Sequence, residues 1–234
     1  MTQESIQFLT ITDPTLGGLI QKVGACTLVP KTRRSPFETL VRSVAYQQLN
    51  GTAAATILGR VKALYPGRRF PSPEDLLATP EQRLRSAGLS RAKIVAIKDI
   101  AAKTLEGVVP NSRAIAKMSN EGILQRLLSV RGVGPWTVEM LLIFTLGRTD
   151  VLPVTDYGVR KGFALTYGWK DLPTPKELRD FGQRWQPHRT TAAWYFWRAL
   201  ELPKPEAMKK TPSATAAIRP LGSRDGAAKR RPRP

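Results

Sequence analysis

Between Pro36 and Leu49 the apolar residues Phe37, Leu40, Val41, Val44 and Ala45 fall at the i, i+3, i+4, i+7, i+8 spacing of one helix face, with Pro36 at the first helical position. Patterns of this period recur along the chain, cut by Pro and Gly turns, and no segment of useful length alternates at period two. A core built from sheets is thereby excluded, and the prediction is an all-α fold of roughly ten helices. Further helices are expected over residues 52–64, 91–105 behind the N-cap residue Ser90, 121–129, 137–146, 157–167, 175–185 and 190–200. Residues 137–146 are apolar nearly all round, the mark of a central buried helix. On the first helix the stripe meets Gln48 where the pattern calls for core.

Charge limits what such a bundle can bind. The 234 residues carry 37 Lys plus Arg against 18 Asp plus Glu, a net +19 that favours polyanions such as nucleic acid or an anionic membrane surface. Residues 204–234 hold nine basic and two acidic side chains and almost no large apolar ones, so this segment is read as a disordered basic tail. The remaining +12 belongs to residues 1–203, read as one folded domain, and points to a phosphate-binding face. No apolar run is long enough to span a bilayer, and the first ten residues lack the pattern of a signal peptide. With Cys26 as the single cysteine, a reducing cytoplasm is the expected compartment.

The segment VRGVGPW, residues 130–136, lies between two helical patterns. Gly132, Val133 and Gly134 make a tight turn with little side chain over its amides, and the next helix begins at Pro135 with its first N–H groups free. Such a hairpin can hold a phosphate without reading bases; it can equally be a plain turn that needs glycine for positive φ. Asp156 in PVTDYG stands just before a helix, the place of an N-cap, where the helix dipole also favours negative charge.

Read together, LLSVRGVGPWTVEMLLIFTLGRTDVLPVTDYGVRKGF resembles the helix-hairpin-helix, Gly/Pro-rich loop and aspartate of the HhH-GPD superfamily of DNA glycosylases. Within it the chain is most similar to the DNA-3-methyladenine glycosylase II group. PFETLVRSVAYQQLNGTAA, GLSRAKIVAIKDIA and WQPHRTTAAWYFWR resemble that family's other blocks in the same order, so the likeness runs from about Pro36 to Leu202. Because only about 35 residues precede the first block, the expected subtype is the compact one without an N-terminal β domain.

The resemblance implies a two-lobed helical fold with an active cleft between the lobes, acting on double-stranded DNA as a monomer. It implies a base excision repair enzyme that flips out alkylated bases of the 3-methyladenine and 7-methylguanine type and hydrolyses the N-glycosidic bond. Asp156 would be the catalytic carboxylate, facing the positive charge that develops on the sugar. Trp136 stands where strand-cutting members have a lysine, so an abasic product without AP-lyase cleavage is expected, and its π-face suits a cationic base. Trp136, Tyr157, His188 and Met140 are the base-pocket candidates; the alternative for each is ordinary packing or hydrogen bonding. Leu49 and Asn50 are the wedge candidates that would fill the gap left by the flipped base. Arg91 and Lys93 are candidate phosphate contacts or members of a solvated helix face. The main-chain carbonyls of Leu128, Val130 and Val133 would hold a structural Na+ or K+. No cofactor is required, and one cysteine excludes a four-cysteine iron–sulfur cluster or a zinc finger. The alternatives are a glycosylase for a neutral lesion, such as uracil or an oxidised base, and a noncatalytic DNA-binding protein that uses the hairpin for grip alone.

Overall fold

A computed structural model describes residues 2–49 and 51–203. The wedge candidate Asn50 and the basic tail lie outside the described residues. Among those described there are thirteen α-helices and no strand: α1 (Gln3–Thr12), α2 (Pro14–Val23), α3 (Pro36–Tyr46), α4 (Gly51–Ala63), α5 (Pro73–Ala78), α6 (Glu81–Ser86), α7 (Arg91–Leu105), α8 (Ser112–Ala116), α9 (Asn120–Leu127), α10 (Pro135–Phe144), α11 (Tyr157–Tyr167), α12 (Pro175–Phe181) and α13 (Arg189–Ala199). A 3-10 turn, Gly182–Trp185, follows α12.

Local chemistry starts most of these helices. Side chains of Asp13, Ser35, Ser72, Ser90, Asn111, Ser119, Asp156 and Thr174 each accept a bond from an amide in the first turn, and Pro opens α2, α3, α5, α10 and α12. Two regions differ from expectation in an informative way. The first predicted helix stops at Tyr46, three residues short of Leu49, because Gln48 turns into the left-handed region at φ 58°. At the N-terminus α1 and α2 form where no helix was anticipated; α1 buries a single leucine, Leu9, which leaves a weak periodic signal, while α2 buries Leu16, Leu19 and Ile20.

The packing sorts the helices into two sets. α3, α4, α5, α6, α7, α9 and α10 pack on one another, while α1 and α2 pack on α11, α13 and the 3-10 turn. The chain therefore leaves an N-terminal pair, builds a central lobe and returns to complete the first lobe. Asp13, only 4% exposed, fastens that terminal lobe: it accepts from the Leu16 amide at 3.1 Å, the Tyr167 hydroxyl at 2.6 Å and the Trp185 indole at 2.9 Å. α10 is the central helix, with Val138, Leu141 and Ile143 fully buried. The loop between α10 and α11 joins the two lobes, and Lys31 donates across to the Phe144 carbonyl at 2.7 Å.

Candidate active site

Asp156 caps α11 at this junction. Its Oδ1 accepts from the Val159 amide at 2.8 Å and from the Trp197 indole of α13 at 2.8 Å, and its Oδ2 accepts from the Trp136 indole of α10 at 2.7 Å. Three N–H donors from three helices hold both oxygens of a half-buried carboxylate, which fixes its direction. Asp13 and Asp156 are built alike, each a cap that gathers an indole from a distant helix. They differ in access: Asp13 is sealed in the core, whereas Asp156 remains partly open and Tyr157 beside it is 66% exposed.

Close packing brings Trp197 to the carboxylate. A Cβ at Gly162 would run into the Phe196 carbonyl, and one at Gly158 would lie 2.8 Å from Trp197 Cδ1. Only glycine at these two positions, one turn apart, lets α11 and α13 cross so tightly. Phe144 of α10 stacks on the Trp197 ring at 5.5 Å between centroids. Sequence reasoning does not single out Trp197; the Gly158/Gly162 spacing is the available signal for a close crossing.

The hairpin gives its two glycines different tasks. Gly132 has φ +76° and a Cβ there would stand 2.6 Å from Ala96 Cβ on α7, so conformation and space both demand glycine. Gly134 has an ordinary φ of −102°, and a Cβ there would meet nothing within 4 Å. No side chain caps α10, so the amides of its first turn have no side-chain cap partner. Val133 is 5% exposed and anchors the turn in the core. Asp99 of α7 accepts from the Arg131 amide at 2.7 Å, and Gln47 Nε2 donates to the Gly132 carbonyl at 3.0 Å and to Thr137 Oγ1 at 3.2 Å. The end of α3, with Leu49 38% exposed, is thus tied directly to the hairpin.

The other candidates divide. Met140, one turn beyond Trp136, is 8% exposed and belongs to the core. His188 precedes α13 and packs edge-on against Phe8 of α1 at 5.1 Å; among the described residues no hydrogen bond or ring contact links it to Asp156. Arg91 is exposed, with Glu81 at 3.8 Å, whereas Lys93 donates to the Ala45 carbonyl at 2.9 Å and its pKa is lowered by burial. Lys93 therefore braces the end of α3. Arg160, one turn beyond Asp156, donates to the Pro173 carbonyl at 2.8 Å.

At the proposed cation position the donors are neutral oxygens. Leu128 follows the last turn of α9, where helical carbonyls lose their partners, and the Val130 carbonyl accepts from the Val133 amide at 3.1 Å. An uncharged carbonyl set fits a monovalent cation better than a divalent one. No group of three or more His, Cys, Asp or Glu suited to a metal occurs among the described residues. Two surface cavities of about 340 Å3, one lined by Leu146, Arg148 and Thr149 and the other by Lys31, Arg34 and Arg69, do not include Asp156. Among the described residues no helix is long and apolar enough to cross a membrane.

Residues 41–188 match the HhH-GPD superfamily of base excision DNA repair proteins. The chain is 38% identical over 170 residues to DNA-3-methyladenine glycosylase 1 of Schizosaccharomyces pombe, covering 73% of this chain and 75% of that one. It is 32% identical over 195 residues to an alkylbase DNA glycosidase-like protein of the same yeast, covering 83% of this chain and 92% of the relative. Among solved structures, the S. pombe 3-methyladenine DNA glycosylase in complex with abasic DNA superposes with a TM-score of 0.80 at 34% identity, covering 86% of this chain and 98% of that one. The all-helical frame agrees with these matches, and the chain belongs to the HhH-GPD superfamily of base excision DNA repair proteins.

Proposed function

We propose that this protein is a monofunctional DNA glycosylase that extrudes N-alkylated purines from double-stranded DNA and hydrolyses their glycosidic bond. The observation that carries this reading is Asp156: a carboxylate held by three N–H donors at the seam of two lobes, one of them the Trp136 indole on the helix that the uncapped hairpin opens. An alkylated purine departs readily because it already bears positive charge. As the bond between C1′ and the base nitrogen breaks, charge passes to the sugar; a fixed carboxylate stabilises it and orients the attacking water. Trp136 offers no amine to form a Schiff base, so the product is an abasic site with the strand intact.

The hairpin amides of Gly132 and Gly134 and the start of α10 bind a phosphate beside the lesion, and Arg91 adds attraction. Leu49, held against the hairpin through Gln47, enters the space of the extruded base. Trp136 and Tyr157 provide aromatic faces for that base. The carbonyls of Leu128, Val130 and Val133 would hold Na+ or K+, which supplies positive charge next to the bound phosphate. The site is complete within one chain, so the protein works as a monomer, in the cytoplasm with its DNA.

The test uses duplex DNA bearing 3-methyladenine. Asp156→Asn is expected to lower single-turnover base release by about a thousandfold, as for loss of one key electrostatic group, while binding to abasic-site DNA persists. Unchanged release by the variant, or strand scission by the wild type without added alkali, overturns the assignment.

A further inference from the structure

Glu139 is the one acidic side chain on α10, in a helix otherwise built from apolar residues and threonine. It stands three residues after Trp136, on the same helix face, one turn from the indole that binds Asp156. Its Oε2 is buried and has no hydrogen-bond partner. Buried carboxyl oxygens without partners are rare because the lost hydration is not replaced, and the position would be better served for folding by glutamine, methionine or leucine. A group retained against stability beside a reactive centre calls for a role there.

We propose that Glu139 is a specificity-determining carboxyl of the base site, which selects cationic over neutral lesions according to its own charge. The inference rests on the glycosylase reading above. When ionised, Glu139 adds a second negative charge to that of Asp156 and favours a base that carries positive charge. When protonated, it withdraws that preference.

The surroundings place the change of state in the working range. Burial first, and then the charge of Asp156, push the Glu139 carboxyl up to about 7, with Arg179 of α12 opposing. Charges on the helices packed against α10 are otherwise engaged or outside: Glu38 and Arg42 of α3 pair with each other, Arg126 of α9 donates to the Gly107 and Val108 carbonyls, and Glu121 of α9 is exposed.

The experiment measures single-turnover release of 3-methyladenine, a cation in DNA, and of ethenoadenine, a neutral adduct, by the full chain between about pH 6 and pH 8.5. The ratio of the two rates is expected to rise about tenfold with pH in the wild type, the scale of one added charge at close range, and to be flat in Glu139→Gln. Glu139→Met provides a second uncharged variant, with the same flat ratio expected. A flat ratio in the wild type overturns the proposal, as does a ratio that still rises in a folded, active uncharged variant. Failure to release either adduct at any pH instead overturns the glycosylase reading, so the two failures are distinguishable.

Discussion

A single carboxylate in this molecule is useful because of what holds it. Asp156 would be an ordinary helix cap if only the Val159 amide bound it; the Trp136 and Trp197 indoles convert it into a group whose two oxygens cannot rotate away. Trp197→Phe keeps a ring against Phe144 and removes one N–H from Oδ1. Hydrogen bonds to charged groups are worth roughly 1.5–3 kcal/mol, so kcat is expected to fall about tenfold or more with little change in duplex affinity, measured by single-turnover release and by titration of abasic DNA. Equal loss in both would mean that Trp197 serves folding alone. Glu139 gives a second prediction at this scale. Below its ordinary 4.5 the carboxyl is protonated in folded and unfolded chains alike. Between 4.5 and about 7 the unfolded chain ionises first, so folding loses free energy as pH rises, and the loss is complete above about 7. The full difference corresponds to an upper limit of roughly 3 kcal/mol. Glu139→Gln should therefore raise Tm at about pH 8 and change it little near pH 4.5, as followed by thermal unfolding.

At the scale of elements, the hairpin places its two glycines under different constraints within three residues. Gly132 is fixed by its left-handed backbone and by Ala96 on α7, so Gly132→Ala is expected to lower stability by about 1–3 kcal/mol, read as a fall in Tm. Gly134 has room on every side, and Gly134→Ala should leave Tm nearly unchanged while weakening duplex binding, because its Cβ enters the space a phosphate needs. Equal effects from both substitutions would contradict this division. Nothing in the letters GVG distinguishes the two positions; the distinction arises only when α7 is packed beneath the turn. The end of α3 teaches the same lesson, since Gln47 is aimed at the Gly132 carbonyl by a helix that stops early and by the strained φ of Gln48.

At the scale of the whole molecule, charge and connectivity act together. The lobe that carries Asp156 is made from the two ends of the described chain, α1 and α2 with α11 to α13, and Asp13 fastens it through Tyr167 and Trp185. Asp13→Ala strands three donors, the Leu16 amide, the Tyr167 hydroxyl and the Trp185 indole, and should destabilise the protein by several kcal/mol, on the order of 3–5 for a broken buried polar cluster, detected as a lower denaturant midpoint. The tail supplies nine of the 37 basic side chains. Deleting residues 204–234 is expected to flatten the salt dependence of nonspecific DNA binding while leaving the rate of base release at saturating enzyme unchanged. An altered single-turnover rate would instead assign the tail a part in the chemistry.

The order of the residues was enough for the helical class, for α7 and α11 to the residue, for the hairpin and for the position of Asp156, because each depends on periodicity, caps and turns within about fifteen residues. Contacts between distant segments lay beyond that range. That Trp136 and Trp197, 61 positions apart, would bind the two oxygens of one aspartate depends on α11 and α13 crossing where Gly158 and Gly162 remove the steric barrier. That a Glu139 carboxyl oxygen would lose its water without gaining a partner depends on how the chain folds around it, and only the folded arrangement sets the dielectric and the neighbouring charge that a side chain feels.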